Sequence, residues 1–254
     1  MSIDRRAILR LAVLAGAAAG GGVMAACRRP QGAAAASGVS PGTRWAMAVD
    51  LDRCASAGEC TACVDACHRV HNVPALAMAG REVKWVWKEP FERAFPEHVA
   101  AGANARHAGL RALVLCNHCD APPCVRVCPT GATWKREDGL VMMDWHRCIG
   151  CRYCVAACPY GSRSFNWADP RTGLPALDPG FPTRTRGVVE KCTFCEERLA
   201  DGRPPACVEA CAEGALVFGN LADARSGVRV ALGGRFSIRR RPELGTGPGV
   251  HYLV

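Results

Sequence analysis

The chain has 254 residues, a formal net charge of +9, an aromatic share of 6% and seventeen cysteines. That length suits one large domain or two small ones with a sizeable core. The basic excess could attract an anionic partner, but its arginines are dispersed apart from Arg239–Arg241 and aromatics are few. This argues against nucleic-acid binding and for a solvated basic surface, part of which offsets anionic metal–thiolate groups.

The N-terminus reads MSIDRRAILRLAVLAGAAAGGGVMAAC, a basic start followed by an apolar run from Leu11 to Met24. That run is short and Gly-rich for a permanent membrane span. Arg5–Arg6 before Ala7-Ile8-Leu9 resembles a twin-arginine export signal, so residues 1–27 are expected to direct the chain, already folded, to the periplasm or the outer membrane face. Cys27, after Met24-Ala25-Ala26, resembles a degenerate lipoprotein site that could take a lipid anchor. Ala33–Ala36 offers a competing cleavage site, in which case Cys27 leaves with the signal. Residues 28–44, rich in Ala, Gly and Pro, read as a flexible linker.

Sixteen cysteines then fall into four sets of four. Gaps of two or three residues recur in every set, and cysteines so close along the chain do not bridge each other without strain. Metal ligation is therefore favoured over disulfides. A short strand over Trp45–Val49 precedes the first set: Cys54, Cys60, Cys63, Cys67. Val64–Val70 reads as a helix carrying its fourth cysteine. Residues 68–115 follow as an insertion expected to form partner-facing loops, in which Lys84-Trp85-Val86-Trp87 alternates like a strand with core tryptophans.

The second set, Cys116-x2-Cys119-x4-Cys124-x3-Cys128-Pro129, is widened around Ala121-Pro122-Pro123. After an apolar strand at Gly139–Met143 comes the third, Cys148-x2-Cys151-x2-Cys154-x3-Cys158-Pro159. It matches the bacterial ferredoxin run, whose fourth cysteine ligates the neighbouring cluster. By that pattern Cys116, Cys119, Cys124 and Cys158 hold one [4Fe-4S] cluster, and Cys148, Cys151, Cys154 and Cys128 hold another. Val125–Cys128 and Val155–Cys158 are predicted as short helices bearing the shared cysteines. Residues 159–191, rich in Pro and Gly, form a second predicted insertion, likewise expected to make partner-facing loops.

The fourth set is Cys192-x2-Cys195-x11-Cys207-x3-Cys211. By symmetry Cys54, Cys60, Cys63 and Cys211 form one cluster, and Cys192, Cys195, Cys207 and Cys67 another. A strict match wants cysteine where Ala57 stands, so the first set either loops out Ala55–Gly58, holds three irons, or leaves three clusters instead of four. Structural zinc is the competing reading, but zinc sites use paired cysteines, not runs of four ending in Cys-Pro. Cys63 to His68 has one residue too many for a c-type haem site. His118 reads as a loop histidine bonded to backbone, with ligation or redox tuning as its alternative. Lys191 reads either as a potential-raising charge or as a solvated one.

The cysteine sets, together with KWVWKEPFERAFPEH (84–98), LCNHCDAPPCVRVCPTGATWKREDG (115–139), DWHRCIGCRYCVAACPYGSRSFNW (144–167), VVEKCTFCEERL (188–199) and RPELGTGPGVHYLV (241–254), carry a family resemblance. The chain resembles the four-cluster iron–sulfur electron-transfer subunits of molybdopterin oxidoreductases and quinone-linked membrane complexes. It also resembles the DsrO type, the periplasmic subunit of the membrane complex associated with dissimilatory sulfite reductase. The resemblance implies an α+β fold of two ferredoxin-like lobes, each a pseudo-two-fold βαβ pair around two [4Fe-4S] clusters, within residues 45–222. Sets one and four make one lobe and sets two and three the other; residues 223–254 form a C-terminal extension. It also implies a multispan quinone-interacting membrane subunit and a periplasmic multihaem cytochrome or catalytic oxidoreductase subunit as partners. No nucleotide loop, nucleophile–base pair or paired acids stand out, and a full count of cysteines leaves no open iron. The expectation is electron transfer, not catalysis.

Overall fold

The computed structural model describes residues 42–76, 80–100 and 107–254. The expected signal, Cys27 and all but the end of the linker lie outside the described residues.

Strands β1 (Trp45–Asp50), β2 (Val86–Pro90), β3 (Arg111–Leu115), β4 (Thr133–Lys135), β5 (Val141–Met143), β6 (Ser164–Phe165), β7 (Val189–Glu190), β8 (Leu216–Asn220), β9 (Ser237–Ile238) and β10 (Val250–Leu253) are interleaved with short helices. Four form a sheet in the order β8-β1-β10-β9, with β1 parallel to β10 and antiparallel to β8. Pairs β2–β3, β4–β5 and β6–β7 are separate antiparallel ribbons.

β1 is buried on both faces, because successive side chains point to opposite sides of a strand. Met47 and Val49 enter the main apolar core, while Ala46 and Ala48 lie against Val228 and Leu253. Alanines there let the helix Gly227–Gly234 pack closely on the sheet. The strand ends at Asp50, whose carboxylate accepts the Arg53 N–H at 3.1 Å and caps the helix Leu51–Ser56.

Three sequence expectations are corrected. Residues 223–254 are no appendage: β10 lies between β1 and β9, with Val250 and Tyr252 fully buried. Residues 68–115 are not partner-facing loops where described: Trp85, Val86, Phe91, Phe95 and Leu113 are buried in the main core. The physical reason is their apolar content, which the fold removes from water. The second insertion is tied to the first by a buried network. Glu190 pairs with Arg184 at 2.6 Å, both side chains fully buried, and accepts the Trp85 indole N–H at 3.0 Å. Arg184 also donates to the Asn72 carbonyl at 2.8 Å.

Helix boundaries also differ. The helices are Ala62–Val70, Pro123–Arg126 and Tyr153–Ala157, so Cys67 is helical whereas Cys128 and Cys158 lie just beyond their helices. Proline disfavours the helical conformation of the residue before it, and Cys158, before Pro159, is extended at φ −81°, ψ 110°. β2 begins at Val86, one residue after the buried Trp85; Trp87 is half-buried.

Candidate metal centres

All sixteen cysteines of the described residues are free thiols. The folded chain gathers them by crossing between sets. Group three, Cys128, Cys148, Cys151 and Cys154, lines one cavity. Group two, Cys116, Cys119, Cys124 and Cys158, lines another with Pro122, Pro123 and Arg163. The two extra residues in the second set are used here: Pro122 caps and Pro123 starts the helix that carries Cys124. Proline suits that position because its missing N–H is not needed in the first turn.

In group three, Gly150 between Cys148 and Cys151 has φ +71°, and an added Cβ would sit 2.3 Å from the Gly187 carbonyl. Only glycine fits that loop. Burial works against ionising Cys128, yet hydrogen bonds from the Thr130 side chain and the backbone of Thr133, Thr130 and Ala132 bring its thiol below the usual value.

Group one is Cys54, Cys60, Cys63 and Cys211. The chain covers the Ala57 gap with the helix Leu51–Ser56, which carries Cys54, and a left-handed turn at Gly58, φ +61°. Burial, then the neighbouring Cys54, Cys211 and Cys60, push the Cys63 thiol up to about 11. Group four is Cys192, Cys195, Cys207 and Cys67. Burial and the proximity of Cys192, Cys207 and Cys195 raise the Cys67 thiol well above its ordinary value. Cys63 and Cys67 are one helical turn apart, so a single helix serves both groups.

The groups are electrostatic neighbours in the order three, two, four, one. Cys154 feels Cys124, Cys192 feels Cys116, and Cys207 feels Cys63. Exposure follows that order. Groups two and four are buried except for the half-buried Cys158, whereas Cys60 is exposed and Cys54, Cys128, Cys148 and Cys151 are half-buried.

These donors fit iron–sulfur clusters. Soft thiolates are the preferred ligands, and burial, then the neighbouring Cys116, opposes their ionisation, pushing Cys119 and Cys192 up to about 12. Bound iron supplies the positive charge that the buried thiolates require. Donors already face the sulfurs: Phe194 N–H to Cys192 Sγ at 3.4 Å, Ala206 N–H to Cys195 Sγ at 3.3 Å, and Arg163 Nη2 to Cys124 Sγ at 3.2 Å. Phe194 and Cys195 adopt positive φ, 58° and 53°, to aim these groups.

His118 is bonded to backbone, its Nδ1 accepting the Val141 N–H at 3.0 Å while its ring stacks on Phe194. Lys191 is not solvated but fully buried. Sequence reasoning missed Arg163, and also His71 and Glu197, whose ligand atoms lie with that of Cys195 within 4.8 Å of one another. Neither feature has a spacing signal; only the folded chain reveals them.

Residues 112–221 match the family of 4Fe-4S dicluster domains. The chain is 44% identical over 229 residues to the Hdr-like menaquinol oxidoreductase iron-sulfur subunit 1 of Archaeoglobus fulgidus, covering 82% of each chain. It is 37% identical over 237 residues to the menaquinone reductase iron-sulfur cluster-binding subunit of Nitratidesulfovibrio vulgaris, covering 83% of this chain and 88% of that one. To the arsenate respiratory reductase iron-sulfur subunit of a Shewanella species it is 34% identical over 248 residues, with 83% of this chain and 96% of that one covered. The chain belongs to the family of iron–sulfur electron-transfer subunits of quinone-linked and reductase complexes. It carries multiple [4Fe-4S] clusters.

Proposed function

We propose that this chain is a non-catalytic periplasmic subunit that relays single electrons between a quinone-interacting membrane subunit and a multihaem cytochrome, in a complex associated with sulfite reductase. The observation that carries the relay is the row of four thiol groups, buried in the middle and open at both ends. Each group holds one cluster, with the ligand sets given above arranged in two ferredoxin-like lobes. Bound [4Fe-4S] clusters supply reversible one-electron chemistry.

The protein's own part is to hold, insulate and bias. Cysteines from sequence-distant segments fix the groups side by side, the buried residues of groups two and four keep water out, and amide donors favour the sulfur charge. The half-buried thiols of groups three and one leave both ends open to partners. Around group three, Ile149 and Tyr153 are exposed by 67% and 62%, and the exposed Trp167 lies under the Arg152 guanidinium. The Arg5–Arg6 segment supports export of the folded, loaded chain.

The test is purification of the tagged chain from its own membranes. About sixteen irons per chain, with haem and a multispan subunit co-eluting, is the expected result. Molybdenum without haem would favour the alternative, the electron-transfer subunit of a molybdopterin oxidoreductase. About twelve irons would mean that group one holds no cluster.

A further inference from the structure

Arg163, Arg184, Arg198 and Arg240 are all buried. Three of them have a carboxylate partner: Glu190 for Arg184 at 2.6 Å, Glu209 for Arg198 at 2.6 Å and Glu89 for Arg240 at 2.7 Å. Arg163 breaks the pattern. Its Nη2 donates to Cys124 Sγ at 3.2 Å and Thr133 Oγ1 at 2.8 Å, and its Nη1 faces Met143 Sδ at 3.7 Å. Lys191 is buried in the same manner, its Nζ donating to the Cys192 carbonyl at 2.7 Å. No carboxylate stands among these contacts.

A buried cation without an anion is strongly destabilising unless something negative lies close by. What lies close is thiolate. Arg163 feels Cys124, Cys154 and Cys116, in that order, and Lys191 feels Cys116, then the opposing charge of Arg163, then Cys192 and Cys124. Group two is the group that both cations address. Group four receives Lys191 but also Glu197, whose charge acts on Cys67, Cys192 and Cys195. Adding an electron makes a cluster more negative, so a fixed cation favours the reduced form and a fixed anion opposes it.

We propose that Arg163 and Lys191 are potential-setting residues, which hold the reduction potential of the cluster in group two above that of its neighbour in group four. Neither side chain ligates iron; both act through the thiolates beside them. An electron in the row therefore rests on group two, and the step to group four runs uphill.

The inference depends on the assignment of groups to clusters, so each variant is first analysed for iron and sulfide. Redox titration followed by electron paramagnetic resonance then compares the whole chain with Arg163→Gln, Arg163→Lys and Lys191→Met. The group-two signal is identified by its loss in Cys119→Ser. Arg163→Gln and Lys191→Met each lower the reduction equilibrium constant of group two at least tenfold, about 59 mV for one electron. Smaller decreases are expected at group three for the arginine variant and at group four for the lysine variant, with none at group one. Arg163→Lys, which keeps the charge, restores most of the loss. Full iron content with no shift, or with an equal shift at all four clusters, overturns the proposal. So does a wild-type group-two potential below that of group four. Wild-type protein lacking iron would instead overturn the cluster assignment. If Arg163→Gln fails to assemble, Lys191→Met and Arg163→Lys decide.

Discussion

The middle and the ends of the thiol row solve the same electrostatic problem differently. Groups two and four lie away from water, where a thiolate is costly, and the protein supplies the compensation itself: Arg163, Lys191 and backbone N–H donors aimed at sulfur. Groups three and one leave several thiols half-buried or exposed, so solvent does part of that work. The buried groups are built into the apolar core, where Cys67, Cys116, Cys192 and Cys207 lie alongside Met47, Trp85 and Tyr252; of the end groups Cys63 is the thiol buried there. Metal in the middle is thus part of folding, while metal at the ends is closer to a removable fitting.

The sharpest way to break this contrast is to remove one ligand from each region. Cys116→Ser should cost the group-two cluster and much of the chain's stability, seen as loss of about four of about sixteen irons and a marked fall in the thermal unfolding midpoint, with the other clusters retained. Cys60→Ser should leave a folded protein holding between about twelve and fifteen irons. Equal stability of the two variants would end the distinction. Next in size is the buried network behind the row. Glu190→Gln leaves Arg184 without its anion in the interior, and breaking such a pair costs about 3–5 kcal/mol in urea unfolding. Its exposed counterpart, Arg171–Asp169, has side chains 53% and 39% exposed. There Asp169→Asn should leave the unfolding midpoint unchanged. A smaller and local effect is expected at the open end. Gly150→Ala drives a methyl against the Gly187 carbonyl and strains a left-handed loop, so group three alone should lose iron, with its resonance signal diminished and the others intact.

Much of the site was legible in the sequence because ferredoxin spacing is a geometric code: runs of three with a displaced fourth state which thiols will meet. The folded chain lines one cavity with Cys128, Cys148, Cys151 and Cys154 and another with Cys116, Cys119, Cys124 and Cys158. The widened gaps were the weak point, since a count of residues does not say how a loop is spent. Here Pro122-Pro123 spends it on a helix start, and Ala57-Gly58 on a left-handed turn. The insertions and the C-terminus were misread for another reason. Trp85, Phe91 and Phe95 have no cysteine nearby to mark their role, and β10 becomes central only by pairing with a strand 203 residues away, Met47 with Val250. The buried cations were the least legible, because nothing local distinguishes Arg163 from the dispersed surface arginines.

The last expected effect, absent at neutral pH and developed only in acid, sharpens the contrast by leaving every thiol alone. His251 lies in β10, and burial, then Arg239 and Arg44, lower it from an ordinary 6.5 to about 4. Between those values the unfolded chain binds a proton that the folded chain refuses, so stability falls as pH drops from about 6.5 to about 4 and levels off below. His251→Gln removes the proton acceptor from both states. Its unfolding free energy relative to wild type should therefore improve steadily across that window, while the pH dependence of iron loss, which belongs to the thiol groups, stays the same in both proteins. A parallel pair of stability profiles would show that the sheet tolerates a charged His251, and that acid sensitivity is confined to the metal row.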